Sequence, residues 1–550
     1  MAGAMVSSPK AEPGRPGAGP VADADVLLVG CGPVGQVLAL LLAGRGWRVV
    51  VAEQWAEPYP MPRAVTFDGH AARIIAAAGA ADVIAEIGEP TADYVVCNGA
   101  GQPLLRIGFR KVGRHGWPDS TSIYQPGLEA ALAVRGALLP GLRVLRGRRV
   151  VDLAERGEAV EAVTEDAATG RRGALRARWA VGCDGANSFV RGCLGTSMTD
   201  FGFAVDWMAC DVTPARPADF PPSNLQVADP RGPRVAVSAG PGHRRWEFMR
   251  PEGEPASEFG TLASAWRRLG EFGVTPDNAT LDRHAMYSIR ALCADRWRSG
   301  RILIAGDAAH QMPPFAGQGL CAGLRDAANL AWKLDLVLSG GHGEALLDSY
   351  EQERKPNVAR AIRLSVWLGS LICQSDRAAA AARDAAMLGS AGRAGGAAPE
   401  LPDTLTAGLV HAGPGGARAD AAGTLLPQAR VGCGARTGWF DQIVGPGFAL
   451  LVRDDPAGLL DPALRAFLRG LRARVVRIVP AGAALRPGDV ADLDGVYLPW
   501  LDSMRALGAL VRPDFYLFGV ARDPDEVAAM VAGLRSALPA RAGRPERMPT

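Results

Sequence analysis

The sequence predicts an α/β protein in which a β-rich segment interrupts a parallel sheet. Three observations support this prediction. Near the N-terminus, two strand-like apolar runs flank a glycine-spaced turn and a helix-like run, as in a βαβ unit. Farther along, the apolar run RILIAGD precedes another glycine-rich turn and a long helix-like run. Between these regions, FGFAVDWMACDV, RVAVSAG and RRWEFMRP alternate as half-buried strands do.

The composition is that of a globular protein. Of the 550 residues, 48% are hydrophobic and 21% are charged, and no apolar run reaches the ~18 residues that span a membrane. The formal net charge is only +3 and the arginines are scattered, so neither a membrane nor a nucleic-acid partner is predicted. Nine cysteines without a C-x-x-C pair indicate reduced thiols in a cytoplasmic protein and no metal. Residues 1–23 lack a secretory h-region and are expected to be a disordered leader.

The first motif, DVLLVGCGPVGQ, places three glycines between a strand and a helix, and a second strand ends at Glu53. This is the spacing of a dinucleotide-binding βαβ unit. Gly30 allows the tight turn, Gly32 lets a pyrophosphate approach the backbone, and Gly35 lets the helix pack against the strand. The helix N-terminus favours phosphate, and Glu53 can bind ribose hydroxyls, which favours FAD or NAD over NADP. A glycine turn without a ligand is the alternative.

Two further turns follow predicted strands. Asp184-Gly185 follows WAVGC, although an Asp-Gly turn alone is common in loops. Asp307 ends RILIAGD, and its carboxylate can bind a polyol such as a ribityl chain. Gly317 and Gly319 then bring backbone N–H groups to a helix start, which stabilises negative charge. In a flavin, the N1–C2=O edge carries that charge on reduction.

In this order, the motifs resemble those of the FAD-dependent aromatic hydroxylases, the group A flavoprotein monooxygenases. The branch they resemble is that of the 3-(3-hydroxyphenyl)propionate hydroxylases and related antibiotic-pathway hydroxylases. The resemblance is strong over residues 24–370 and fainter beyond them. It fits the lack of a second G-x-G-x-x-G, since GCGARTG at 432–438 has the wrong glycine spacing and is interpreted as a loop.

The resemblance implies an α/β fold with α+β character in the substrate domain. Its parts are a Rossmann-like FAD-binding domain of the glutathione-reductase type, an inserted β-sheet substrate domain and a C-terminal thioredoxin-like domain. The C-terminal domain lacks a C-x-x-C, so it is expected to pack or dimerise and not to perform redox chemistry. The expected boundaries are 24–200 and 291–370 for the FAD-binding domain, 201–290 for the substrate domain, 371–415 for a helix and linker, and 416–550 for the C-terminal domain.

The site residues also follow from the resemblance. The catalytic positions along the flavin ring would be Pro314, Gly317, Gln318 and Gly319. The cofactor-binding residues would be Gly30, Gly32, Gly35, Glu53, Arg63, Gln125, Asp184, Gly185, Gly306, Asp307, Gly317, Gln318, Gly319 and Leu320. His310 is interpreted as a structural hydrogen-bonding residue, with a catalytic base as the alternative. The candidate substrate contacts are Trp207, Trp246, Phe248, Tyr287 and Phe315, although aromatic residues on strands usually belong to a core.

The implied activity is hydroxylation of a phenolic or polyketide-like aromatic ring with FAD, NADPH or NADH, and O₂, through a flavin C4a-hydroperoxide. Cys321 stands where hydroxybenzoate-type relatives carry a polar residue, which argues against a small benzoate substrate. One alternative is a flavin dehydrogenase without oxygen insertion; a halogenase is disfavoured because W-x-W-x-I-P is absent. Another is a non-catalytic, flavin-bearing protein that binds a small molecule. A homodimer is the expected assembly.

Overall fold

The structure is a computed structural model that describes residues 23–390, 404–412 and 419–539. Residues 1–22 of the predicted leader, residues 391–403 and 413–415 of the predicted helix and linker, and the last eleven residues lie outside the described ranges. Up to residue 182 the strands are β1 (Ala24–Val29), β2 (Val49–Glu53), β3 (Thr66–Asp68), β4 (Gly88–Pro90), β5 (Asp93–Asn98), β6 (Pro103–Gly108), β7 (Ser120–Ile123), β8 (Leu142–Arg146), β9 (Arg148–Arg156), β10 (Ala159–Asp166) and β11 (Arg172–Gly182). The helices of this part are α1 (Pro33–Ala43), α2 (Gly69–Ile75), α3 (Ile84–Ile87) and α4 (Gln125–Ala137).

The middle of the chain contains long strands and long helices. The strands are β12 (Met198–Pro214), β13 (Asn224–Ala228), β14 (Arg234–Ser238), β15 (Arg244–Met249), β16 (Ala279–Ala294), β17 (Arg298–Ser299), β18 (Ile302–Ile304) and β19 (His310–Gln311). The helices are α5 (Phe189–Leu194), α6 (Ala256–Phe259), α7 (Leu262–Leu269), α8 (Gln318–Leu338), α9 (Asp348–Ile372) and α10 (Arg377–Ser390).

The C-terminal part alternates strands and helices, as its sequence predicts. The strands are β20 (Arg430–Cys433), β21 (Arg436–Trp439), β22 (Ala449–Val452), β23 (Arg474–Pro480), β24 (Asp489–Asp492), β25 (Gly508–Val511) and β26 (Leu517–Ala521). The helices are α11 (Phe440–Val444), α12 (Pro462–Gly470), α13 (Tyr497–Ser503) and α14 (Pro524–Ala537). The strands form one sheet in the order β21-β20-β24-β23-β22-β25-β26. GCGARTG is a β-hairpin of β20 and β21, so its interpretation as a loop is wrong.

The first sheet confirms the α/β prediction. It has eight strands. Six run in the order β17-β18-β11-β1-β2-β8, of which β18, β11, β1, β2 and β8 are parallel neighbours, and β10 pairs with β11 and with β9. All six residues of β1 are buried, as the central strand of a covered parallel sheet requires. Because parallel strands share a carboxyl edge, the ends of β1, β2, β11 and β18 meet along one side of the sheet.

The second sheet has the order β19-β16-β12-β15-β14-β13-β5-β6 and is largely antiparallel. Its last two strands come from residues 93–108, which the sequence assigns to the FAD-binding domain. The predicted substrate segment, 201–290, therefore supplies only part of the sheet. One face of the sheet is covered by a separate hydrophobic cluster that includes residues of α6 and α7. The other face closes over the carboxyl edge of the first sheet.

None of the helices in the described ranges is long and apolar enough to cross a membrane. All nine cysteines are free thiols.

Candidate active site

A cavity of about 1110 Å³ lies between the carboxyl edge of the first sheet and the open face of the second. Four strands of the first sheet end in residues that line it: Gly30 after β1, Glu53 in β2, Asp184 after β11 and Asp307 after β18. These residues are far apart in the sequence, and the parallel topology brings them to one edge.

The glycines of the first motif have different environments. Gly30 has φ +100°, and a Cβ there would lie 2.4 Å from the Cys183 carbonyl oxygen. A Cβ on Gly35 would lie 2.3 Å from the Gly30 carbonyl oxygen, so this glycine lets α1 pack against the turn. A Cβ on Gly32 would approach only Nη2 of Arg63, at 3.6 Å. The chain therefore fills the space at Gly30 and Gly35, whereas Gly32 faces the cavity.

The N-terminus of α1 lacks a side-chain cap, and Pro33 occupies its first turn. Its free N–H groups and the dipole therefore face the cavity beside the Arg63 guanidinium. Glu53 accepts hydrogen bonds from the backbone N–H groups of Cys31 at 2.8 Å and Trp55 at 2.9 Å. These bonds fix the carboxylate at the end of β2, where it lines the cavity.

Gln125 holds the segment that carries Arg63. Its Oε1 accepts hydrogen bonds from the backbone N–H groups of Arg63 at 3.0 Å and Ala64 at 2.6 Å. Its Nε2 donates to Glu129 at 2.7 Å. Gln125 and Arg63 both line the cavity, so the structure brings these two predicted residues together.

Asp184 and Gly185 form a turn at the cavity wall. Oδ1 of Asp184 accepts from the Ser188 hydroxyl at 2.5 Å, and its Oδ2 accepts from the backbone of Val190 at 3.1 Å. Burial raises the pKa of Asp184, although the bond from Ser188 opposes the rise. Arg191 donates to the carbonyls of Ala186 and Ala308, which ties this turn to the GDAAH segment.

Asp307 faces the cavity, and its carboxylate makes no hydrogen bond to the described residues that surround it. Protein encloses the group on its other sides, and this burial raises the pKa of the carboxyl. Gly306 precedes it with φ +62°, and its N–H donates to Oδ2 of Asp326 at 3.1 Å. A polar group held at a cavity wall without a partner among the described residues is suited to a hydroxylated ligand.

His310 points away from the cavity into the core. It is 1% exposed, and its Nε2 lies 2.6 Å from Oδ2 of Asp326. Oδ1 of Asp326 accepts from Nε of Arg354 at 2.9 Å. Burial alone would raise the pKa of Asp326, but His310 and Arg354 outweigh it and lower that pKa. This geometry favours the structural interpretation of His310.

The PPFAGQG turn lines the cavity from Pro314 to Leu320. Gly317 has φ +64° and begins α8 without a side-chain cap, so the first N–H groups of this 21-residue helix are free. Oε1 of Gln318 accepts from Arg325 at 3.1 Å. The predicted catalytic positions Pro314, Gly317, Gln318 and Gly319 therefore lie together on one wall.

Only two of the five candidate substrate contacts line the cavity, Tyr287 and Phe315. Trp207 is fully buried behind Phe315, with ring centroids 5.7 Å apart. Trp246 and Phe248 pack into the cluster on the opposite face of the second sheet. Substrate contact by these three residues is thus a wrong expectation. Trp246 and Phe248 point to the other face because neighbouring strand residues alternate between faces, whereas Trp207 is on the cavity face but is covered by Phe315.

Arg245 and Glu247 line the cavity. They alternate with Trp246 and Phe248 along β15, and they were not identified as site residues from the sequence. Tyr287 donates its hydroxyl proton to Oε2 of Glu247 at 2.8 Å. Burial raises the pKa of Glu247, and the nearby Arg245 opposes that rise. The sequence contains one indication of these residues, the alternation of charged and aromatic side chains from Arg245 to Phe248. This alternation does not show which of the two faces of the strand lines the cavity.

The cavity fits FAD in its residue chemistry. The open space at Gly32, the uncapped start of α1 and the Arg63 guanidinium suit a pyrophosphate. The unpartnered Asp307 carboxylate suits a ribityl chain, and the uncapped start of α8 suits an electron-rich flavin edge. Gly30, Gly35 and Gly306 act through the backbone geometry that holds these groups in place.

Residues 23–365 match the family described as FAD binding domain, and residues 423–537 match the HcaD C-terminal domain. The chain is 37% identical to a probable NADH-specific resorcinol 4-hydroxylase of Rhodococcus jostii (strain RHA1), over 96% of this chain and 98% of that one. It is 32% identical to a 3-(3-hydroxy-phenyl)propionate/3-hydroxycinnamic acid hydroxylase of Mycobacterium sp. (strain JLS), over 93% and 92% of the two chains.

Solved structures share the fold. Aklavinone-11 hydroxylase with FAD and aklavinone superposes with a TM-score of 0.76 at 22% identity, over 94% of this chain and 99% of that one. The flavin-dependent monooxygenase PieE, in complex with FAD and substrate, gives a TM-score of 0.75 at 24% identity over the same shares.

Proposed function

Since the chain belongs to the FAD-dependent aromatic hydroxylases and is an FAD-dependent monooxygenase of aromatic substrates, we propose that its substrate is a phenol and its reductant NADH. The relative in Rhodococcus jostii is named as NADH-specific and as acting on resorcinol. The Mycobacterium relative is named for a hydroxyphenylpropionate and a hydroxycinnamic acid. Both named substrate types are phenols, and this shared feature supports the proposal.

The observation that carries the proposal is the continuity of the cavity. One cavity joins the strand ends of the first sheet, where Gly32 and Asp307 lie, to the open face of the second sheet, where Glu247 and Tyr287 lie. A cofactor and a small aromatic ring can therefore meet without leaving the protein. Bound FAD would take a hydride from NADH and supply one oxygen atom from O₂ to the ring.

The residues of the chain position the reactants and exclude water. We assign Arg63 and the start of α1 to the pyrophosphate, Glu53 to the ribose, Asp307 to the ribityl chain, and Gly317 and Gln318 to the flavin edge. The N–H groups at the start of α8 would stabilise negative charge on that edge. Phe315 and the apolar residues of the second sheet would hold the ring in a space with little water.

The relatives described above are hydroxylases, which favours oxygen insertion over the dehydrogenase and the non-catalytic alternatives. A homodimer, a cytoplasmic location and a thioredoxin-like C-terminal domain stay predictions from the sequence.

The test is NADH oxidation by the FAD-loaded protein in the presence of a panel of phenols, with each product weighed by mass spectrometry. The expected result is a phenol that accelerates NADH oxidation and gains one oxygen atom. NADPH serves as the matched control and is expected to react more slowly. If no phenol accelerates oxidation or gains oxygen, the proposal fails.

A further inference from the structure

The register of the second sheet shows which side chains share the cavity with the substrate. Strand pairing places Gln226, Val235, Glu247, Ala209 and Ala285 in one row across β13, β14, β15, β12 and β16. The neighbouring row on the same face contains, in order, Asn224, Val237, Arg245, Asp211 and Arg283, and Tyr94 precedes Val95, which pairs with Leu225. One end of this face is therefore charged, and the other carries only neutral polar and apolar groups.

The charged end is internally compensated. Arg245 donates to Oδ1 of Asp211 at 2.7 Å, and Arg283 donates to Oδ2 of the same carboxylate at 2.8 Å. Both guanidiniums also donate to the Pro62 carbonyl, at 2.6 and 2.9 Å. Nη1 of Arg245 lies 3.6 Å from Oε1 of Glu247. With Glu247 ionised, two positive and two negative charges balance, and the arginine donors are already engaged.

Other arginines at the cavity lie away from this face. Arg148 and Arg149 pair with Asp166 and Glu165 on β10. Arg63 lies beside Gly32, in the part assigned to the cofactor. Arg290 is exposed and lines the cavity, but it stands five residues beyond Ala285 on β16, about 16 Å along the strand from the row of Glu247. In the described ranges, arginines are the only cations that line the cavity. The two that share the rows around Glu247, Arg245 and Arg283, are both paired with Asp211, so these rows offer a substrate no uncompensated positive charge.

From this arrangement, and resting on the proposed function, we propose that the substrate is an uncharged di- or polyhydroxybenzene. One hydroxyl group donates a hydrogen bond to the Glu247 carboxylate, which Tyr287 holds in place. A carboxylate substrate would be buried beside Glu247 without a counter-ion, which is strongly unfavourable. An uncharged hydroxyl instead gives the carboxylate a charge-assisted hydrogen bond.

The far side of the same face supplies partners for a second hydroxyl. β13, which carries Gln226, lies two strands from β15, about 10 Å away. A single ring with two hydrogen-bonded substituents can bridge such a distance. Gln226 and Asn224 line this part of the cavity. Tyr94 lines it too, but its hydroxyl oxygen is buried and has no partner among the described residues. Val235 and Val237 on the strand between them would contact the ring.

The test compares three phenols that differ only in the meta substituent. Resorcinol carries a hydroxyl, 3-(3-hydroxyphenyl)propionate carries a charged chain, and 3-propylphenol carries a neutral chain that separates size from charge. Calorimetry measures the binding of each phenol to the FAD-loaded protein, and product formation with NADH gives kcat and KM. We expect resorcinol to bind at least 10-fold more tightly than the propionate, and 3-propylphenol to bind more tightly than the propionate as well.

Two variants test the assigned partner. Glu247→Gln keeps the shape of the side chain and a hydrogen bond to Tyr287 but removes the charge. The kcat/KM for resorcinol should therefore fall about 10- to 100-fold. The ratio of the affinity for resorcinol to the affinity for the propionate should also become smaller. Tyr287→Phe frees the carboxylate and should raise KM for resorcinol more than it lowers kcat. Glu161→Gln, an exposed glutamate on β10, is the matched control and should change neither value. Thermal unfolding confirms that each variant is folded.

The outcomes separate this inference from the proposed function. Hydroxylation of the propionate with a kcat/KM equal to or above that of resorcinol overturns the inference and leaves the phenol hydroxylase intact. The same holds if Glu247→Gln leaves resorcinol binding unchanged. If none of the three phenols gains oxygen while another phenol of the panel does, the inference fails and the proposed function stands. If no phenol of the panel gains oxygen or accelerates NADH oxidation, both fail.

Discussion

Arg512, which follows β25, and Glu353 of α9 form a fully buried ion pair, with Nη2 and Oε2 2.7 Å apart. Lys333 of α8 donates to the same carboxylate at 2.8 Å. Burial alone would raise the pKa of Glu353, but Arg512 and Lys333 outweigh it and hold that pKa at about 2. This cluster joins the C-terminal sheet to the helices that pack behind the cavity.

Replacing Arg512 with methionine should destabilise the protein strongly. The change leaves the buried carboxylates of Glu353 and Asp514 with too few partners, which costs about 3–5 kcal/mol. Urea unfolding measures the effect. Arg522→Met, which breaks an exposed pair with Asp420, is the control and should change the unfolding free energy by less than about 1 kcal/mol. Equal effects of the two substitutions on the unfolding free energy would show that the buried cluster does not join the C-terminal sheet to α8 and α9.

Alanine at two glycines of the first motif should have different effects. Gly35→Ala places a methyl group 2.3 Å from a carbonyl oxygen, and such overpacking costs about 1–3 kcal/mol. Gly32→Ala meets only the Arg63 side chain, so the apoprotein should keep its stability while its affinity for FAD falls at least about 10-fold, or ~1.4 kcal/mol. Urea unfolding of the apoprotein and FAD titration separate the two effects. A Gly32→Ala variant that binds FAD normally would contradict the assignment of the pyrophosphate.

His310 should contribute to stability and not to proton transfer in the reaction. His310→Gln weakens the contact with the buried Asp326, which should reduce the unfolding free energy by about 1–3 kcal/mol. Because the imidazole does not line the cavity, kcat should change less than about 3-fold, compared with the ~100-fold loss that removal of a general base produces. A large loss of kcat in a fully stable variant would reverse this interpretation.

Acid should destabilise the protein through two stacked histidines, His70 and His115, whose ring centroids are 5.3 Å apart. Burial, Arg73 and Arg114 lower the pKa of His115 to about 2, and burial and Arg325 lower that of His70 well below its usual value. In the unfolded chain both imidazoles take up protons near pH 6.5. Their contribution is therefore complete above pH 6.5 and is lost as the pH falls from 6.5 towards 2.

The expected slope is up to about 1.4 kcal/mol per pH unit for each histidine. Urea unfolding of the parent protein and His115→Gln at pH 7.5, 6.5 and 5.5 measures it. The variant should show the shallower dependence between pH 6.5 and 5.5. Parallel curves would mean that His115 takes up its proton at the same pH in the folded and the unfolded protein.

The cofactor end of the cavity could be predicted because local sequence determines it. Gly30, Glu53 and Asp307 each stand at the end of a short apolar strand, and parallel strands necessarily share their carboxyl edge. The spacing within one βαβ unit was enough to assign Gly32 to the approach of a pyrophosphate and Gly35 to the packing of the helix. In the structure, Gly32 faces the cavity and Gly35 packs against the Gly30 carbonyl.

The substrate end could not be predicted in the same way. All six residues of β15 are buried because both faces of the second sheet are covered. Because apolar residues usually face the interior of a protein, Trp246 and Phe248 were favoured as substrate contacts over their neighbours. In the structure, the charged residues Arg245 and Glu247 face the cavity instead. The pairing of β5 with β13 joins residues over 120 positions apart, and no local pattern indicates that Tyr94 reaches the same face.

The most direct test of the central claim is hydroxylation of resorcinol by the FAD-loaded protein with NADH under ¹⁸O₂. The expected result is one ¹⁸O atom in each product molecule and one NADH consumed for each product formed. If NADH is consumed but the oxygen appears only as hydrogen peroxide with every phenol tested, or if the product oxygen comes from water, the protein does not act as the proposed monooxygenase of phenols.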